Sequence, residues 1–202
     1  MELTHSRTVI ITAILLLLAA ISQPIYTALY VNAPEIDRQF LWGLEGLIFV
    51  LMMAFAGSAL VGAKRYRLGF SAIAFSAVLN VVQVGIGFTQ FGPFREAAGV
   101  NADLGGVAFS VVALSFFLYN AAKILLGLAA MVFGMAKMSE GGAGKALGGL
   151  TVLVGTVAVV SNTLVMMFGI QQDFMPRSVA GSSGVVAALL IALCLFNLKS
   201  ED

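Results

Sequence analysis

Six long apolar runs, separated by short polar stretches, account for nearly the whole of this 202-residue chain. A helix needs roughly 20 apolar residues to cross about 30 Å of hydrocarbon. Six such spans leave room for connections and little else, so no extramembrane domain fits. Only 10% of the residues are charged, against roughly 25% in a soluble domain, too few to clothe a water-soluble globule. The reading is an all-α polytopic membrane protein forming a single integral membrane domain. Backbone groups in lipid must be satisfied within a segment, and no alternating pattern suggests a barrel, so the runs are helices.

The spans fall at about 9–31, 41–61, 68–91, 107–135, 146–168 and 179–198. The first run has the layout of a secretory signal: a basic start, an apolar stretch, then Ala20-Ile21-Ser22 resembling a cleavage site. It is read here as a retained first span. Orientation follows from Lys and Arg in the loops. Arg7, Lys64, Arg65, Arg67, Lys137, Lys145 and Lys199 fall on one side, and Arg38, Arg95 and Arg177 on the other. That asymmetry puts both termini in the cytoplasm, in a membrane read as a bacterial plasma membrane. The outer side then carries the longer loops 32–40, 92–106 and 171–178. On the inner side, loop 139–144 is glycine-rich and reads as flexible.

An echo runs through the odd-numbered spans. Gln23, Asn80 and Asn162 each lie fifteen residues before an arginine, Arg38, Arg95 and Arg177 respectively, with Pro34, Pro93 and Pro176 in between. Gln90 and Gln172 each stand ten residues past their asparagine. The pattern suggests three related helical hairpins, pairing spans 1–2, 3–4 and 5–6, and internal repeats are common in transporters. Chance likeness among apolar runs is the alternative.

The costly residues are the polar ones inside the runs. Lys123 lies in span 4, with Asn120 one turn before it. A lysine at the centre of a membrane helix costs roughly 2.5–3.5 kcal/mol. At 1.5 Å per residue it is about 21 Å from Lys137, hence in the outer half. It either snorkels to the outer headgroups or meets a partner. Glu45, one turn into span 2, has similar depth and opposite charge. The two could form an ion pair, lining an outward-facing cavity or acting as a structural tie. Gln23, Asn80 and Asn162 fall near mid-depth, and Gln83 shares a face with Asn80. If the odd spans converge, these amides could hold a polar solute or ion at the midplane. Otherwise they tie helices together for about 0.6 kcal/mol each. Pro24, directly after Gln23, weakens the hydrogen-bond ladder of span 1.

The remaining positions read as packing. Ala54, Ser58 and Gly62 form a small-residue ridge on span 2, and Ala180, Gly184, Ala188 and Ala192 another on span 6. Either could serve internal packing or contact with another subunit. Trp42, Tyr26, Tyr30 and Tyr66 near span ends suit an aromatic belt.

Function classes narrow by what is missing. The only histidine, His5, is in the N-terminal tail and the only cysteine, Cys194, is in the last run. Bis-histidine haem and an internal disulfide are therefore excluded, and neither a metal site nor a cofactor is expected. Glu45 is the only acid within a span, no Ser–His–Asp set is available, and no Walker loop or dinucleotide fingerprint appears. Catalysis by this chain alone is not expected. No basic patch suits nucleic acid. Two readings stand. One is a small transporter, channel or membrane solute-binding protein, acting as a homo-oligomer or with other membrane subunits. The other is a non-catalytic subunit of a larger membrane assembly. No motif names a substrate or ion.

Overall fold

The computed structural model describes residues 3–33, 38–196 and 198, and of Tyr30 and Arg177 the backbone alone. Pro34 and Lys199 lie outside the described residues. The architecture is all-helical: α1 (His5–Asn32), α2 (Gln39–Gly62), α3 (Arg67–Val100), α4 (Gly105–Met138), α5 (Gly142–Phe168) and α6 (Arg177–Phe196), with a 3₁₀ turn at Ala102–Leu104 before α4. All six helices are long and apolar enough to cross a membrane. The chain has the build of an integral, multi-pass membrane protein.

The helices run up and down. At one end, His5 at the start of α1 meets Gly62 at the end of α2 and the Phe70 ring of α3. Phe70 in turn packs edge-on against Phe133 near the end of α4, with ring centroids 5.0 Å apart. Thr151 of α5 and Cys194 of α6 meet at this same end. It is termed the terminal end. The opposite, distal end joins α1 to α2, α3 to α4 and α5 to α6. Each helix packs on its sequence neighbour, α6 closes on α1, and α4 also touches α6 across the ring. Spans 1–2, 3–4 and 5–6 do pair, but so do 2–3 and 4–5, and the closest interface is α4 on α5. Packing therefore does not single out three hairpins.

Sequence sorts itself inside out relative to a soluble bundle. Along α1, Ile10, Ile14, Leu18, Ile21 and Ile25 face outward while Ala13, Leu16, Ala19 and Ala20 are buried. Large apolar side chains lose nothing by facing lipid, and small ones let backbones approach. The α4/α5 seam carries this furthest. A Cβ on Gly127 would stand 2.7 Å from the Gly155 carbonyl oxygen, and one on Gly134 would stand 2.8 Å from that of Gly148. The two pairs lie seven residues apart on both helices, so the seam repeats every two turns.

Several span ends differ from expectation. The anticipated loop 92–106 is mostly helix. α3 runs through Pro93 to Val100, and α4 starts at Gly105. The helix tolerates the donor missing at Pro93 and resumes through the good helix formers Arg95, Glu96, Ala97 and Ala98. α1 likewise continues through Pro24 to Asn32. The glycine-rich stretch 139–144 is a tight turn. Gly141 at φ 77 and Gly142 at φ 53 take the left-handed backbone that reverses the chain, and α5 begins at Gly142. The distal 169–176 segment is a loop held by Gln172. Its Nε2 donates to the Met175 carbonyl at 3.0 Å and its Oε1 accepts from the Met175 N–H at 3.1 Å.

The two small-residue ridges part ways. Ala180, Gly184, Ala188 and Ala192 are buried in the bundle. Ala54 and Ser58 face outward, and the inward side of α2 is Phe49, Met52, Ala56 and Ala59 instead.

Candidate functional site

A cavity of about 320 Å³ occupies the distal half, and all six helices contribute to its wall. Toward the terminal end, Phe70, Phe133, Leu16, Met52 and Ile73 are fully buried and fill the bundle. The space exists because α1 and α4 do not pack on one another there, nor do α2 and α4. What bridges the gap is a side chain.

Lys123 of α4 is 2% exposed. Its Nζ donates to Gln23 Oε1 of α1 at 2.8 Å and stands 4.8 Å from the centroid of the Tyr119 ring, one turn back on its own helix. Its stem lies along α6 at Gly184, where a Cβ would stand 2.5 Å from Lys123 Cδ. The lysine thus points inward to a carbonyl and an aromatic face and does not snorkel to headgroups. A charged hydrogen bond and a ring face offset part of the cost of burying the ammonium.

Glu45 of α2 lines the cavity and is 6% exposed. Its Oε1 accepts from Ser22 Oγ at 2.8 Å. The anticipated Glu45–Lys123 ion pair is not made. The two groups stand beyond ion-pair distance, and each takes a partner from consecutive residues of α1, Ser22 for the acid and Gln23 for the amine. They remain close enough to be electrostatically coupled. The physical reason lies in α1, where Gln23 Oε1 accepts from the ammonium and Ser22 Oγ donates to the carboxylate, so each charge has a polar partner without the other.

The amides separate into two groups. Gln23, Gln83 and Asn120 line the cavity. Gln83 Nε2 donates to Ser115 Oγ at 3.2 Å, tying α3 to α4 at the wall. Asn120 Nδ2 bonds back to the Phe116 carbonyl at 2.6 Å. Asn80 and Asn162 do not reach the cavity, and α1, α3 and α5 do not pack on each other. The convergence of odd-span amides is therefore corrected. The odd-numbered helices are held apart by α2, α4 and α6 between them, although the even-numbered α4 and α6 do meet. Asn80 Nδ2 donates to the Ser76 carbonyl at 2.9 Å, while Ser76 Oγ reaches the Ala122 carbonyl of α4 at 2.9 Å. Asn162 Nδ2 donates to the Ala158 and Ala180 carbonyls at 2.8 and 3.1 Å, binding α5 to α6. Each of these two asparagines leaves its Oδ1 buried without a partner among the described residues. The sequence echo thus has a structural counterpart in α3 and α5 that Gln23 does not share.

Aromatic residues supply most of the remaining wall. Tyr26 and Trp42 stack with centroids 5.7 Å apart, and Phe91 meets Trp42 edge-on at 5.7 Å. Phe116 and Tyr119 continue the wall on α4. Tyr26 and Trp42 therefore turn into the cavity, not outward as an aromatic belt would. Tyr66 packs on Phe133 at the terminal end. Of the three distal arginines, Arg38 lays its guanidinium 5.7 Å from the Tyr26 ring centroid, and Arg95 is exposed on the distal extension of α3. Arg177 opens α6, with its side chain outside the described residues.

Sequence reasoning missed the aromatic wall and the role of Gly184 as a seat for Lys123. Tyr26 and Trp42 belong to α1 and α2, near the same distal end as Glu45, and that shared end was the available signal. No family model, no curated protein sequence and no solved structure matches the chain.

Proposed function

We propose that the protein is a membrane-embedded solute-binding protein or small transporter, and that the distal cavity is its solute site. One observation carries this reading. A 320 Å³ space, walled by all six helices, holds a buried carboxylate, three amides and five aromatic rings. That volume is at the small end of the range for ligand sites, and a mostly apolar wall with few placed polar groups is their usual make-up. Filled packing toward the terminal end supports a site reached from one side of the membrane. Arg7, Lys64, Arg65, Arg67, Lys137 and Lys145 lie toward the terminal end. By the positive-inside rule that end is assigned to the cytoplasm and the cavity to the outer face.

The test is native mass spectrometry of the protein extracted from its own membrane in mild detergent. The expected particle consists of this chain alone, as monomer or homo-oligomer, with a small retained mass that is lost when the cavity is filled by Ala180→Trp. A particle without retained mass, together with unchanged thermal stability across a panel of small solutes, would overturn the proposal. The competing reading, an accessory subunit, draws support from the outward-facing Ala54 and Ser58. It requires the particle to contain other chains.

A further inference from the structure

We propose that the solute is a small organic cation, an ammonium group carried on an apolar body, with Glu45 as its counter-charge. The inference rests on the reading of the distal cavity as a solute site and assigns that site its ligand chemistry.

Charge comes first. Among the described residues lining the cavity, Glu45 is the charged one. Ser22 holds one of its carboxylate oxygens, and the other has no hydrogen-bond partner among the described residues. A buried anion with a free oxygen facing an enclosed space is matched by a cation or a strong donor.

The wall comes second. Cations bind over the faces of Trp, Tyr and Phe, and aromatic enclosures are the usual receptors for substituted ammonium ions. Tyr26, Trp42, Phe91, Phe116 and Tyr119 surround the space in front of Glu45. Two cations of the chain itself already use this wall. Arg38 lies on Tyr26 at 5.7 Å and Lys123 on Tyr119 at 4.8 Å.

The floor comes third. Lys123 Nζ, bonded to Gln23 Oε1 at 2.8 Å beside the Tyr119 ring, shows that this corner of the bundle offers an ammonium group a carbonyl oxygen and an aromatic face. Lys123 is not itself a lining residue. Its charge sits behind Gln23 and Tyr119 and opposes the solute only through space. Removing the charge by Lys123→Met, which keeps the length of the stem, therefore strengthens cation binding, whereas a carboxylate-bearing solute would be weakened by the same change.

The experiment exploits Trp42, the only tryptophan in the chain and part of the cavity wall. The purified full chain in detergent is titrated with choline, with its neutral isostere in which carbon replaces the quaternary nitrogen, and with acetate, reading tryptophan emission. The expected result is a saturable change with choline, at a concentration lower by about tenfold or more than the isostere needs. Glu45→Gln should remove that preference, leaving choline no better than the isostere. Wild-type protein that binds choline and the isostere equally, or prefers acetate, overturns the cation assignment while leaving a solute site in place. That comparison uses wild-type protein only, so it decides the matter even if Glu45→Gln does not fold. Silence toward all three probes also overturns the assignment. Combined with the absence of any retained mass in native mass spectrometry, it removes the solute site too.

Discussion

Gly184→Ala should dislodge Lys123 from its place beside the cavity. The added Cβ would stand 2.5 Å from Lys123 Cδ, 2.8 Å from Cγ and 3.1 Å from Cβ. Two of these contacts lie well inside van der Waals range. Lys123 Cβ is fixed by the α4 backbone, so its contact is relieved only by moving α6 away by a few tenths of an ångström. The stem atoms can escape by rotating, but rotation carries Nζ off Gln23 Oε1, now 2.8 Å away. Overpacking costs about 1–3 kcal/mol, and losing a hydrogen bond to a charged group about 1.5–3 kcal/mol. Whichever route is taken, the expected loss is about 1–3 kcal/mol. It is read as a lowered midpoint in denaturant unfolding of the purified protein, with a change in Trp42 emission as Gln23 is released. The control is the same substitution in a Lys123→Ala background, which removes both Cγ and Cδ. There the cost should shrink, giving a coupling energy of about 0.5–3 kcal/mol. An equal cost in both backgrounds, or a Gly184→Ala protein as stable as wild type, would refute the seating of the lysine on α6.

Four further outcomes follow from the packing and its polar ties. Gly127→Ala drives a Cβ to 2.7 Å from the Gly155 carbonyl oxygen and 2.8 Å from Val159 Cγ2, and should lower stability by about 1–3 kcal/mol in the same assay. Gly57→Ala, with nothing within 4 Å of the new Cβ, should instead raise stability by up to about 1 kcal/mol through helix propensity. Gln23→Leu withdraws the one hydrogen-bond acceptor of the buried Lys123 ammonium among the described residues. It should cost about 3 kcal/mol or more by denaturant unfolding, with Lys123→Met restoring most of that loss. At the terminal end, Glu140→Gln breaks the 2.6 Å contact with Lys137. Because Glu140 is partly solvent-exposed, the midpoint should move by less than about 1 kcal/mol.

Much of this fold is legible from the sequence because lipid imposes so few solutions. Uninterrupted apolar runs had to be helices, and their number and order follow directly. Lys123, Glu45, Gln23, Asn120 and Gln83 stand out for a related reason. A polar group in a span is costly, so its presence marks an interior position. Which polar group meets which was not legible. That depends on the rotation of each helix about its axis, and a one-residue turn of 100° exchanges a lipid-facing position for a buried one. Asn80 and Asn162 show the limit. They match Gln23 in spacing yet face other helices. The aromatic wall was hidden because Tyr26 and Trp42 sit where a belt residue would also sit. The Gly127, Gly134, Gly148 and Gly155 seam was hidden because its regularity spans two helices and cannot be seen along one. Pro93 misled because a proline, although costly inside a helix, need not end one of 34 residues.

Lys123 crosses between two helices whose backbones do not touch, and this gives the residue a second job as a spacer. Its four methylenes and terminal nitrogen span the distance from α4 to α1, much as a strut spans a frame. Glutamine at this position would be too short to reach Gln23 without drawing the walls together. Arginine would present a planar fork where Gly184 leaves room for a slim chain. The breadth of the cavity floor, and hence the largest group that can rest on it, depends on the length of this one side chain together with the packing of α6 on both α1 and α4.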